Sequence, residues 1–141
     1  MIIQQLSVFL ENKSGRLNEI LEMLGQVNIR IIAATVADTS EYGILRLITT
    51  DTQKACTTLR EKKVSANMSE VIAISCDSRA GTFAKQLRYF SENGISIEYM
   101  YCFSIAEKAF LILKTDNVLK AKKVAIQFGL ELISEKELLA L

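Results

Sequence analysis

A shift of 66 residues lays the second half of this chain on the first without a gap. Gly15 falls on Gly81, Leu21 on Leu87, Ile29 on Ile95, Ile31 on Ile97 and Glu41 on Glu107. Leu45, Leu47 and Thr49 fall on Leu111, Leu113 and Thr115, and Lys54-Ala55 falls on Lys120-Ala121. The identities are few, but the apolar pattern between them repeats in the same order. Such self-similarity restricts the chain to two copies of one small unit. With 141 residues in all, each copy is near the size at which a domain buries only about 60% of its unfolded surface.

In the first copy Leu6, Val8 and Leu10 alternate with Gln5, Ser7 and Phe9, the pattern of a half-buried strand. Asn12-Lys13-Ser14-Gly15 is turn chemistry, and Leu17, Ile20, Leu21 and Leu24 follow at the spacing of one helix face. Ile29 to Ala37 reads as a second strand, residues 38–43 as a hairpin loop, and Ile44 to Thr50 as a third strand. Asp51-Thr52 caps a helix running to Lys62 with Ala55 and Leu59 inward, and a short strand at Val64 to Asn67 closes the unit. The second copy repeats this. Strands are expected at 71–76, 95–103, 109–115 and 130–133, and helices at 83–90 and 118–128, with a loop at 104–108. Ser134 and Glu137 form a capping box for a short terminal helix. The expected fold class is α+β: two ferredoxin-like βαββαβ repeats side by side, with antiparallel sheets and helices on one face. The expected domains are residues 1–68 and 69–141, rigidly joined, because Met68-Ser69-Glu70 is too short for a free linker.

Composition narrows the function. Half the residues are hydrophobic and mean hydropathy is +0.22, which excludes a disordered tail. Residues 1–69 carry 8 basic and 7 acidic side chains and residues 70–141 carry 9 of each. Neither half has the basic excess that RNA or an anionic membrane surface demands. Histidine is absent, which removes the usual general base near neutral pH and the commonest metal ligand. No catalytic residue, metal site or cofactor is expected. Cys56, Cys76 and Cys102 show no Cys-x-x-Cys spacing and read as small core residues in a reducing compartment, the cytoplasm. Met1 to Gln5 lacks the pattern of a signal peptide, and no apolar run approaches the roughly 20 residues that span a bilayer.

The informative segment is the first strand-to-helix turn, Asn12 to Leu17. A glycine there permits positive φ and close approach of another group, and the open N–H groups of the helix start suit a carboxylate or phosphate. Asn12 offers both a donor and an acceptor. The plainer reading, that Asn12 and Gly15 simply build the turn, stands beside it.

Leu10-Glu11-Asn12-Lys13-Ser14-Gly15-Arg16-Leu17, with Val27-Asn28-Ile29 after it, resembles the ACT domain over nearly the whole of each repeat. The resemblance implies a tandem ACT protein that binds a free amino acid or related metabolite. It implies a regulatory role, association in pairs as a homodimer, and a separate target enzyme. The typical ACT turn is Asn-Lys/Arg-Pro-Gly, and Ser14 replaces the proline. Implied ligand contacts are Asn12, Lys13, Ser14, Gly15, Arg16 and Leu17, together with Asn28 at the start of the second strand. In the second repeat they are Asp77, Ser78, Arg79, Ala80, Gly81, Thr82 and Phe83, combined with the strand of a neighbouring domain. That repeat departs from the pattern, with Ser78 in place of Asn12 and Gly94 in place of Asn28, so the two sites are not expected to be equivalent.

Two further patterns leave alternatives open. Ala33, Thr35 and Ala37 are small where Tyr99, Tyr101 and Phe103 are large, which fits either a pocket or ordinary packing. Phe9, Ile32, Ala34, Val36, Met100 and Cys102 alternate with the positions expected under the helices, while Gln5, Ser7, Arg30 and Glu98 face water. Either a second chain covers that apolar face or its residues are scattered surface apolars. The leading function is a non-catalytic amino-acid sensor or regulatory subunit. The alternatives are an enzyme on the same scaffold and an RNA-binding module.

Overall fold

Leu6, Val8 and Leu10 are buried on one face of a strand because their cross-strand partners Leu47, Leu45 and Gly43 meet them there in antiparallel register. The computed structural model describes residues 1–11, 13–38 (Asp38 by its backbone alone) and 41–141. The expected hairpin loop therefore lies partly outside the described residues, at Thr39 and Ser40, as does Asn12. The elements in order are β1 (Ile3–Glu11), α1 (Arg16–Gln26), β2 (Ile31–Asp38), β3 (Tyr42–Thr49), α2 (Thr52–Glu61) and β4 (Ala66–Asp77). There follow α3 (Thr82–Glu92), β5 (Ile97–Ile105), β6 (Lys108–Thr115), α4 (Val118–Gln127), β7 (Glu131–Leu132) and α5 (Glu135–Leu139). The backbone divides into two units, Gln4–Ser69 with Leu141 and Glu70–Ala140 with Met1–Ile3.

Each unit is an antiparallel sheet with helices on one face. In the first, β3 lies between β1 and β2, and Leu6, Val8, Leu45 and Leu47 form one core with Ile20, Leu24, Ala55 and Leu59 from α1 and α2. In the second, β6 lies between β4 and β5, and Ile72, Ile74, Leu111 and Leu113 pack with Phe90, Ala121 and Val124 from α3 and α4. The short strand expected at 64–67, the joint at 68–70 and the strand at 71–76 are instead one strand, β4. No glycine or proline between 66 and 77 interrupts the extended run. Strand β5 runs to Ile105, so the expected five-residue loop shrinks to Ala106 and Glu107, with Ala106 at φ 56°.

The 66-residue repeat is visible in backbone detail. Helices α2 and α4 start with side-chain caps at matching positions: Asp51 Oδ1 accepts from Lys54 N–H and Asn117 Oδ1 from Lys120 N–H, both at 3.0 Å. Lys54 Nζ donates to the Val27 carbonyl at 2.9 Å, and so helps to close the C-terminus of α1. The expected capping box of α5 is present: Glu137 N–H donates to Ser134 Oγ, and Ser134 N–H to the Glu137 carboxylate.

One expectation about sheet faces is reversed. Both second strands carry a bulge, between Ile31 and Ala33 and between Ile97 and Tyr99. An extra residue in one strand flips every side chain after it. Ala34 and Val36 therefore stand opposite the core residues Leu47 and Leu45, and Met100 and Cys102 opposite Leu113 and Leu111. They lie on the helix side, whereas Ala33, Thr35, Ala37, Tyr99, Tyr101 and Phe103 lie on the other. Ala34, Val36 and Cys102 are exposed even so, because the helix layer does not reach across the outer strand. Cys102 is thus not a core residue; Cys56 is fully buried and Cys76 half-buried. Gln5, expected to face water, is 0% exposed. Its amide nitrogen donates to Ser69 Oγ at 3.2 Å and to Ser7 Oγ at 3.4 Å, which removes the need for solvent.

Candidate functional site

The two β–α turns differ from the other helix starts in how their ends are closed. At the first, Gly15 is the N-cap of α1 at φ 81°, and no side chain caps the helix among the described residues. At the second, Gly81 holds the same place before α3 at φ 87°, again without a side-chain cap. Positive φ at these positions explains why both are glycine. A Cβ at either would meet no heavy atom within 4 Å, so the space beside each glycine is open among the described residues. Arg16 N–H donates to the Lys13 carbonyl at 3.1 Å and Thr82 N–H to the Arg79 carbonyl at 3.2 Å, which fixes both turns in the same form. The first helical bonds run from Glu19 N–H to the Gly15 carbonyl and from Lys85 N–H to the Gly81 carbonyl, so the amides before them, of Leu17 and Asn18 and of Phe83 and Ala84, lie at the positive end of the helix dipole without intrahelical partners.

The side chains around the two turns diverge. At the first, Lys13, Ser14 and Leu17 are exposed. Arg16 pairs with Glu19 one turn further along α1, Nη1 to Oε2 at 3.1 Å, and its Nε is buried with no hydrogen-bond partner. At the second, Asp77 ends β4 and gathers its neighbours. Its Oδ1 accepts from Arg79 N–H at 3.0 Å, from Arg79 Nε at 3.1 Å and from Thr82 Oγ at 2.8 Å, and its Oδ2 accepts from Arg79 Nη2 at 3.0 Å. The Arg79 guanidinium, then the Thr82 hydroxyl and the Arg79 amide, hold the Asp77 carboxyl well below the usual carboxylate range. Asp77 in return raises the pKa of Arg79. Asp77, Ser78 and Arg79 line an open cleft of about 570 Å³ with Glu107 from the β5–β6 hairpin.

The structure thus brings Asp77, Ser78, Arg79, Gly81 and Thr82 together, and Asp77 and Arg79 bind each other. Ala80 is exposed, and Phe83 packs against the second core. Asn28 sits at the far end of α1 at φ 60°. Its N–H donates to the Gly25 carbonyl, and that of Ile29 to Leu24, both at 3.0 Å. That is a Schellman ending with Asn28 as its left-handed residue, and Gly94 at φ 72° does the same for α3.

Sequence reasoning missed Glu107 as a cleft residue. The signal was its identity with Glu41 in the repeat. It also missed a groove of about 460 Å³ between α3 and the start of β5, lined by Ala84, Leu87, Arg88, Ser91 and residues 95–97. No pattern in the sequence marks that groove.

Residues 1–141 match the family model described as an ACT domain pair. A crystal structure of a Bacteroides thetaiotaomicron protein is 38% identical, covers 100% of this chain and 98% of its own, and superposes with a TM-score of 0.95. The ligand-free regulatory subunit of aspartate kinase from Thermus thermophilus shares the fold at 15% identity, with 88% of this chain and 91% of that one covered and a TM-score of 0.63. The Thermus flavus regulatory subunit is similar at 16% identity, 90% and 94% coverage and a TM-score of 0.62. No curated protein matches the chain in sequence. Among the described residues, no helix is long and apolar enough to cross a membrane.

Proposed function

Because the chain belongs to the ACT domain pair family, we propose that it is a non-catalytic regulatory protein that binds a free amino acid or a closely related metabolite. The observation that carries the reading is the contrast among its helix starts. Helices α2 and α4 are capped by Asp51 and Asn117, whereas α1 and α3 begin at left-handed glycines without a side-chain cap among the described residues. An uncapped helix start behind a glycine turn suits the acidic group of an amino acid. The family match supports this assignment, and so does the shared fold with subunits described as regulatory. The absence of histidine in the sequence weighs against acid–base chemistry near neutral pH.

In this reading Asn12, Lys13, Ser14, Gly15, Arg16 and Leu17 form the ligand site, through the open amides at the start of α1 and the exposed Lys13 side chain. Binding regulates if the ligand favours one arrangement of the protein over another. The target is a separate catalytic protein, and the working form is a homodimer. Three unpaired cysteines support a reducing, cytoplasmic setting.

A thermal-shift screen against the twenty amino acids tests the reading. At one hundred times Kd, ligand should add about 2.7 kcal/mol of stability, which raises the melting temperature by roughly 5–10 °C in a chain of this size. No shift with any amino acid at millimolar concentration contradicts the reading.

A further inference from the structure

We infer that the second β–α turn is closed to an acidic ligand by its own carboxylate: Asp77 takes the Arg79 amide, the Arg79 guanidinium and the Thr82 hydroxyl beside that turn, leaving the first turn to bind. The inference rests on the amino-acid-binding reading above. Where the second turn has Asp77 and Thr82, the first has Glu11 and Arg16.

At the second turn, the Asp77 carboxylate is held by the fork of Arg79 and by the hydroxyl of Thr82, the first residue of α3. The two oxygens of Asp77 face Nε and Nη2 of Arg79 in the bidentate geometry that a ligand's carboxylate would use, with the guanidinium itself exposed to water. The negative charge also stands at the positive end of α3, where an incoming carboxylate would gain most. Glu107 lines the same cleft, which adds a second carboxylate to it. A second anion is repelled. At the first turn Glu11 forms no ion pair or side-chain hydrogen bond among the described residues, and Arg16 turns to Glu19 instead. Thus neither Glu11 nor Arg16 closes that corner. The replacement of Arg16 by Thr82 in the repeat supplies the hydroxyl that completes the closure.

Calorimetry with the amino acid that gives the largest thermal shift tests this. Wild type should bind one equivalent per chain. Gly15→Val should abolish binding, while Gly81→Val should leave Kd within twofold. If Gly81→Val does not fold, Ser78→Tyr, which fills the cleft, serves the same comparison. Two equivalents per chain, or a tenfold loss from filling the second turn, overturns the inference. A second measurement needs no ligand, so it still decides if the amino-acid reading fails. The Asp77 carboxyl carbon, followed by NMR against pH, should titrate below the normal carboxylate range and return to it in Arg79→Ala. Titration of wild-type Asp77 near 4, the value of a free aspartate, overturns the closure.

Discussion

Asn28 and Gly94, 66 positions apart, end α1 and α3 in the same left-handed conformation, at φ 60° and 72°. A side chain with a Cβ is strained there by roughly 1–2 kcal/mol unless it is Asn or Asp. Asn28 therefore has a backbone duty whether or not its amide meets a ligand. The two duties separate by substitution. Asn28→Gly should leave the melting temperature unchanged or raise it, and Asn28→Ala should lower it. If the amide also holds ligand, Asn28→Gly weakens binding in calorimetry without loss of stability.

The glycine turns give a second prediction. A Cβ at Gly15 or Gly81 has room, so the cost of Gly15→Ala or Gly81→Ala is conformational, about 1–2 kcal/mol each. Chemical denaturation should show similar losses for the two variants. A much larger loss at either would mean that its turn is packed, contrary to the open space in front of it.

The capping box of α5 predicts a dependence on pH. Ser134→Ala should cost about 1 kcal/mol. The Ser134 backbone N–H, then its side chain, holds the Glu137 pKa below its ordinary value. A depressed carboxylate stabilises the fold above its unfolded pKa and ceases to do so as pH falls through the folded one. The difference between Glu137→Ala and wild type, measured by thermal melts, should therefore be full at neutral pH and shrink in acid below about pH 4. A difference independent of pH would contradict the reciprocal bond.

Thiol reactivity offers a fourth check. Cys102 is exposed and Cys56 buried, while burial, Asp77 and Cys102 together raise the pKa of the Cys76 thiol. An aromatic disulfide reagent should modify Cys102 first, Cys76 slowly and Cys56 only on unfolding. Rapid modification of Cys56 in the native protein would contradict its placement in the core.

Much of this fold is legible in the sequence because its elements obey simple periods. Ile20 and Leu24 mark one face of α1, Ala55 and Leu59 one face of α2, and Asp51, Asn117 and Ser134 announce their helices. The bulges are not legible. Nothing in the run from Ile31 to Ala37 reveals that Ile32 is an extra residue, so the face of every later side chain is read wrongly. The burial of Gln5 is hidden for a related reason: its partner Ser69 lies 64 residues away. At the candidate site the glycine turns are readable, but the closure by Asp77 is not. Asp77-Ser78-Arg79 looks like a polar turn offering groups to a ligand, and only its geometry shows those groups bonded to one another.

The most direct test of the account is a titration of isotopically labelled protein with the amino acid that stabilises it most, followed by backbone amide NMR. The account predicts saturable shifts at Gly15, Arg16 and Leu17, with the same Kd as calorimetry. Saturable binding that leaves those three amides unmoved would contradict it.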